Sequence, residues 1–164
     1  MILFIAAIDR KRGIAKHGVM PWSIPEDEAY FTTQTKTRGG NVLTGGKTFR
    51  GNYKSRPLVN RRNYILTRHD EPIPGATVVH DLDPLLDEFA GKKDHDLWVS
   101  GGAEVFEQIM QAGKADELYL THIDADFDCD QFLPQYEDTF TKVEESDPRE
   151  QNGFRFAYAT YVVK

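Results

Sequence analysis

The segment Ile2-Leu3-Phe4-Ile5-Ala6-Ala7-Ile8 is apolar at every position. It is too short for a typical helix, and an unbroken apolar run of this length is the pattern of a central strand buried on both faces. Short apolar segments recur at 41–44, 63–67, 76–80 and 97–100. Helical stretches alternate with them. PEDEAYFTTQT opens with Pro25 and three acids, a composition that suits a helix N-terminus, with Tyr30 and Phe31 as its inward face. Leu82–Phe89 is a helix begun by Asp81 or Asp83, and Ala103–Gln111 is a further helix. Residues 9–24 carry charge, Gly13, Gly18 and Pro21 without periodicity and read as a long loop. After residue 116 the pattern changes: Glu117–Ile123, Phe140–Glu145 and Phe154–Val163 alternate apolar and polar residues with no helix between them, as antiparallel strands do. The whole reads as an α/β sheet with an antiparallel finish.

No Pro/Gly/Ser linker divides the 164 residues, so one domain, 1–164, is expected. At this length a core needs no disulfide or metal to support it, in keeping with the single cysteine, Cys129. The N-terminus lacks a basic segment before its apolar run, and no apolar stretch approaches the roughly 20 residues of a membrane-spanning helix. A cytoplasmic protein without a membrane partner is expected. The net charge of -6 argues against nucleic acid as a partner. An anionic small molecule would instead need a local cluster of basic residues.

Two junctions supply candidates. Gly45-Gly46-Lys47-Thr48 is not a P-loop, because that motif needs glycine at the position of Asn41 and a loop where this chain has a strand. It still joins a strand to a helix through two glycines beside a lysine. Ser100-Gly101-Gly102-Ala103-Glu104 does the same without forming GxGxxG. Either alone is equally well an ordinary tight turn; two in one sheet are more informative, since ligands of open α/β sheets sit beyond the carboxyl ends of the strands. Thr67-Arg68 follows another strand, and a cation there suits the 2′-phosphate of NADP.

Asp27 lies in the first helical turn and can face the sheet while Glu26 and Glu28 serve the helix dipole. Beside Trp22 and Phe31, desolvation would raise its pKa, which suits proton chemistry or recognition of an amidine-like edge. The acids of DADFDCD do not form a calcium loop, because the sixth position from Asp126 is Gln131 instead of glycine. The five histidines lack metal-ligand spacing, so no metal is expected, and no G-x-S-x-G elbow is present.

Taken together, these segments resemble dihydrofolate reductase. Residues 13–22, GIAKHGVMPW, resemble that family's mobile active-site loop, followed at the family spacing by Ile24-Pro25-Glu26-Asp27, Phe31 and Thr35. Gly45, Lys47, Thr48 and Phe49 resemble its G-[RK]-x-T-[WF] segment, and Arg56-Pro57-Leu58 with residues 61–67 its RPLPGRxNI[IV]LT segment. Residues 100–106 resemble IGGGxVY, and Leu118-Tyr119-Leu120-Thr121 with Asp130, Phe132 and Pro134 resembles LYLTxI…DxxFP. The likeness runs in register over residues 1–134 and is weaker over 68–95 and 138–153.

The resemblance implies a single-domain α/β fold with a mostly parallel twisted sheet of about eight strands, an antiparallel C-terminal strand and flanking helices. It implies NADPH-dependent reduction of 7,8-dihydrofolate to 5,6,7,8-tetrahydrofolate by a monomer that antifolates inhibit. Asp27 would bind the pteridine with help from Thr121, Trp22 would position a water, and Met20 would sit on the closing loop. Arg61 would pair with the glutamate tail, while Ile5, Phe31, Leu58 and Ser100 would line the pteridine and benzoyl pocket. NADPH would be held by Ala7, Ile14, Gly46, Lys47, Thr48, Thr67 and Arg68 on one side. Gly101 and Gly102, joined by a cis peptide, with Ala103, Glu104, Val105 and Phe106, would hold the other.

Several positions depart from the family pattern. Ser100 replaces a large aliphatic residue, Glu28 an apolar one and Ala15 a loop glycine; Gly46 stands at a common arginine position, and Val59-Asn60 replaces Pro-Gly. Two rival readings follow: the fold-related pyrimidine reductase of riboflavin synthesis, which Asp27 and Arg61 disfavour, and a non-catalytic nucleotide-binding descendant, which Ser100 and Glu28 suggest.

Overall fold

The computed structural model describes residues 1–92 and 94–164. Among the described residues eleven strands and four helices follow one another as β1(Ile2–Ile8), β2(Gly13–Ala15), α1(Pro25–Thr35), β3(Asn41–Gly45), α2(Gly46–Gly51), β4(Arg62–Leu66), β5(Ala76–Val79), α3(Leu82–Phe89), β6(Leu97–Val99), α4(Ala103–Gln111), β7(Glu117–Ile123), β8(Gln131–Phe132), β9(Phe140–Glu145), β10(Arg149–Gln151) and β11(Phe154–Val163). Nine of the strands form one sheet in the order β10-β11-β7-β1-β6-β3-β4-β5, with β9 also paired to β11. From β7 through β5 every pairing is parallel; β11 runs antiparallel to β7, β9 and β10.

β1 is indeed central and buried on both faces. Leu3 and Ile5 pack with Val42 and Trp98 on the face that carries Tyr30 and Phe31 of α1. Ile2, Phe4 and Ile8 pack on the other face against Leu86 and Phe89 of α3 and Phe106 and Ile109 of α4. The period of two along a strand thus assigns one helix to one side of the sheet and two to the other. Asp81 caps α3, its carboxylate accepting from the Asp83 amide at 3.2 Å. Among the described residues no helix is long and apolar enough to cross a membrane.

Two expectations need correction. The 9–24 segment is not loop throughout: β2 within it pairs with β8, and Lys16 bridges Val19 in a turn closed over His17-Gly18. A three-residue strand is too short to show periodicity, and its partner lies more than a hundred residues away. Glu117–Ile123 is antiparallel only on its β11 side; against β1 it is parallel, so it is the hinge between the two halves of the sheet. The antiparallel finish is as expected: β11 pairs with β7 along one edge and with β9 and β10 along the other.

Candidate active site

The first turn of α1 points Asp27 at the sheet. Thr121, 2% exposed in the middle of β7, donates its hydroxyl to Asp27 Oδ1 at 2.7 Å. The helix start is fixed from the far end of the chain: the Glu26 amide donates to Gln151 Oε1 at 2.7 Å, and Arg149 pairs with the Glu26 carboxylate. Glu26 therefore faces the β10–β11 hairpin, and Asp27 is left for the cleft. Burial pushes the Asp27 carboxyl up to about 6, against the lowering effect of the Thr121 hydroxyl, and Glu28 adds a smaller upward push. Tyr30 stacks on Tyr158 with ring centroids 4.0 Å apart beside it. Trp22 is 7% exposed and packs on Phe127, and its indole N–H finds no acceptor among the described residues. A buried unpaired donor of this kind suits a bound water.

Ile5, Phe31 and Leu58 share one apolar cluster below this carboxylate, and Tyr53 faces Phe31 with centroids 6.4 Å apart. Ser100 stands at the end of β6. Its hydroxyl accepts from Tyr53 at 3.0 Å and bonds Thr44 Oγ1 at 2.8 Å, so the small polar residue is satisfied by two other hydroxyls. Burial raises the Tyr53 phenol above its ordinary value, so it stays a donor. Arg61 lies at the other end of the cluster, its Nη1 donating to Thr35 Oγ1 at 2.9 Å and its Nε to the Val59 carbonyl at 3.0 Å. Arg61 has no carboxylate partner among the described residues, which leaves the rest of its fork free for one. Neither Tyr53 nor Thr44 was expected from sequence, because nothing local marks a hydroxyl whose partner is 47 or 56 residues away.

The Gly-Gly junctions meet. The Gly45 amide donates to the Gly101 carbonyl at 2.7 Å, and a Cβ on Gly102 would lie 2.8 Å from Thr48 Oγ1, so only glycine lets the two strand ends approach this closely. Gly101-Gly102 is joined by a cis peptide. A cleft of about 920 Å³ opens beyond them at the carboxyl ends of β3, β4 and β6. It gathers Gly46, Lys47, Thr48, Thr67, Arg68, Gly102, Ala103, Glu104 and Val105 of the residues expected to hold a dinucleotide. Gly101 joins them through its carbonyl. Phe106 is instead 1% exposed with its ring against Phe4, supporting the junction from beneath. Ala7 and Ile14 are half-buried in apolar clusters beside Trp22 and the main core, outside this cleft. Met20 is 42% exposed at the solvent edge. The turn before it is tied down by the His17 amide, which donates to Asp130 Oδ2 at 3.0 Å. Arg50, His80 and Gln131 also line the cleft and were not expected there; the spacing of four from Gly46 was the one available signal for Arg50.

A family model described as dihydrofolate reductase matches residues 1–163. The chain belongs to the dihydrofolate reductase family. The dihydrofolate reductase of Bacillus subtilis (strain 168) is 34% identical over 168 residues, covering 100% of this chain and 95% of its own length. That of Drosophila melanogaster is 32% identical over 169 residues, covering 94% and 93%. Among solved structures, a dihydrofolate reductase from Enterococcus faecalis complexed with NADP(H) and RAB-propyl superposes with a TM-score of 0.85 at 31% identity, over 100% of this chain and 96% of that one. For a dihydrofolate reductase the arrangement is coherent: the glycine-lined cleft lies at the carboxyl ends of the parallel strands, the aromatic-lined carboxylate faces Thr121 within β7, and Arg61, with part of its fork unpaired, precedes the amino end of β4. The residues present also fit a dinucleotide, because the close approach of Gly102 to Thr48 leaves bare backbone at the cleft and Arg68 lines the same cleft with a cation.

Proposed function

We propose that the chain reduces 7,8-dihydrofolate to 5,6,7,8-tetrahydrofolate with NADPH, a step of one-carbon and thymidylate metabolism. The observation that carries this reading is Asp27, a carboxyl lifted to about 6 by burial and oriented by Thr121, because a 2-amino group beside a ring nitrogen offers two donors that one carboxylate can accept together. When bound, NADPH would supply the hydride for the pteridine imine carbon, and the adjacent nitrogen would take a proton. The protein's part is placement and protonation. Ile5, Phe31 and Leu58 fix the plane of the ring, and Arg61 holds the carboxylate of the glutamate tail, so remote binding sets the reacting geometry. The ionised form of Asp27 holds the ring, while its protonated fraction, larger near neutral pH than that of an ordinary carboxyl, keeps a proton within the site, and Trp22 offers an N–H to a water that can pass that proton on. The Met20 segment would cover the site and exclude bulk solvent. A single domain over 1–164, a cytoplasmic monomer, and inhibition by antifolates complete the reading. The pairing of Asp27 with a free Arg61 favours folate over a phosphorylated pyrimidine as substrate.

The test is a steady-state assay of NADPH absorbance with dihydrofolate, comparing wild type with Asp27→Asn across pH. The wild-type rate should fall as pH rises through about 6, where the carboxyl loses its proton. Asp27→Asn should lose roughly 100-fold or more at pH 7 and regain part of it in acid, where solvent supplies the proton. Absence of folate-dependent NADPH oxidation by wild type would end the proposal.

A further inference from the structure

Two arginines that face the nucleotide cleft have no partner among the described residues. Lys47 pairs with Glu104 at 3.4 Å, and His80 is bonded to the Thr67 carbonyl at 2.8 Å and lies 3.4 Å from Asp70. Asp81 and Asp83 add negative charge to the same wall. Arg50 and Arg68 make no ion pair and no side-chain hydrogen bond among the described residues, although both line the cleft.

The position of Arg50 follows from a missing side chain. In α2 it lies four residues after Gly46, hence on the same helical face, and its side chain leans back toward the start of the helix. A Cβ placed on Gly46 would lie 3.0 Å from Arg50 Nη1 and 3.3 Å from both the Leu66 carbonyl oxygen and Thr67 Cβ. The Arg50 guanidinium therefore occupies the space that a side chain at residue 46 would take, beside the end of β4 where Arg68 follows.

We propose that Arg50 and Arg68 together bind the 2′-phosphate of NADPH, with Gly46 kept bare so that the Arg50 guanidinium can reach it. The inference rests on the cofactor reading above and assigns a residue to it. A phosphomonoester carries close to two negative charges at pH 7, and a chain of net charge -6 has to neutralise it locally. Lys47 has a carboxylate beside it, whereas the two arginines have none, and their planar forks suit phosphate oxygens.

The experiment measures dissociation constants of NADPH and NADH by fluorescence titration, without substrate, for wild type, Arg50→Ala, Arg68→Ala, Arg50→Lys and the exchange Gly46→Arg with Arg50→Ala. Arg50→Ala should weaken NADPH roughly tenfold and NADH by less than about twofold, with Arg50→Lys in between. The exchange should recover most of the NADPH affinity, because it returns a guanidinium to the same space from the other side of the helical turn. NADPH binding that is unchanged in Arg50→Ala, or NADH binding that falls by the same factor, would overturn the assignment while leaving the cofactor reading intact. Failure of wild type to bind NADPH at all would instead overturn both.

Discussion

The two halves of the site are built by different physics. Around Asp27 the groups are few, half-buried and held by contacts that span the chain: Thr121 lies 94 residues from it, and Gln151, which fixes the helix start, 125 residues from Glu26. Around the nucleotide cleft the groups are many, mostly exposed and local, set by two strand-Gly-Gly-helix junctions joined through one Gly45–Gly101 hydrogen bond. Burial makes each charge on the first side matter singly, whereas on the second side solvent screens individual charges and the arrangement as a whole binds.

Arg61 should break this symmetry most strongly. It belongs to the substrate side and is half-buried, and burial depresses its pKa without threatening its charge. Its Nη1 is braced by Thr35, which is fully buried and donates its own proton to the Phe31 carbonyl at 2.7 Å. Arg61→Leu should raise the KM for dihydrofolate by about 10–100-fold, since a charge-assisted pair is worth about 1.5–3 kcal/mol, and leave NADPH affinity unchanged. Arg61→Lys should recover only part, because an ammonium cannot reproduce the fork. Equal losses for substrate and cofactor would show that the residue supports the fold instead.

The same contrast explains what could be read from the sequence. The central strand, the helix starting at Pro25 and the two glycine junctions were legible because each is written in adjacent residues: an apolar run, a Pro-acid turn, a strand ending in Gly-Gly. Asp27 was legible as a group facing the sheet from helical spacing alone. Its oxygen's partner was not, since only the resemblance pointed to Thr121. Tyr53, Thr44 and Ser100 form their hydroxyl set from three separate segments, and no local pattern distinguishes a tyrosine that donates across a cleft from one on the surface. β2 and β8 were invisible for the same reason: strands of three and two residues exist only through each other.

Asp27 also tests the comparison through stability. Its pKa is raised in the folded state, to about 6 from 3.8, so between these values the native protein binds more protons than the unfolded chain and stability falls as pH rises. Above about 6 the full cost is present. A shift of this size has an upper bound near 3 kcal/mol, and partial solvent exposure reduces it to about 1–2 kcal/mol. Asp27→Asn, whose amide oxygen can still accept from Thr121, should therefore raise the Tm at pH 7.5 by about 2–8 °C and have no effect below pH 4. A lower Tm at pH 7.5 would mean that the carboxylate stabilises the fold and that its buried position carries no such cost.

The smallest effect should come from the charge that looks most misplaced. Glu104 sits in the first turn of α4 on the wall of the nucleotide cleft, where it would repel a polyphosphate. Its side chain is 78% exposed and its Lys47 partner 80%, so solvent and salt screen both the repulsion and the pair. Glu104→Gln should tighten NADPH by no more than about twofold at low ionic strength, and the gain should disappear at high salt. Removing one negative charge thus has opposite meanings in the two halves of the site. At residue 27 it should abolish most of the catalysis and stabilise the fold, and at residue 104 it should do little of either. A salt-independent tightening several-fold larger would place Glu104 in direct contact with the cofactor phosphates and would remove the distinction between a buried and a screened charge on which the contrast depends.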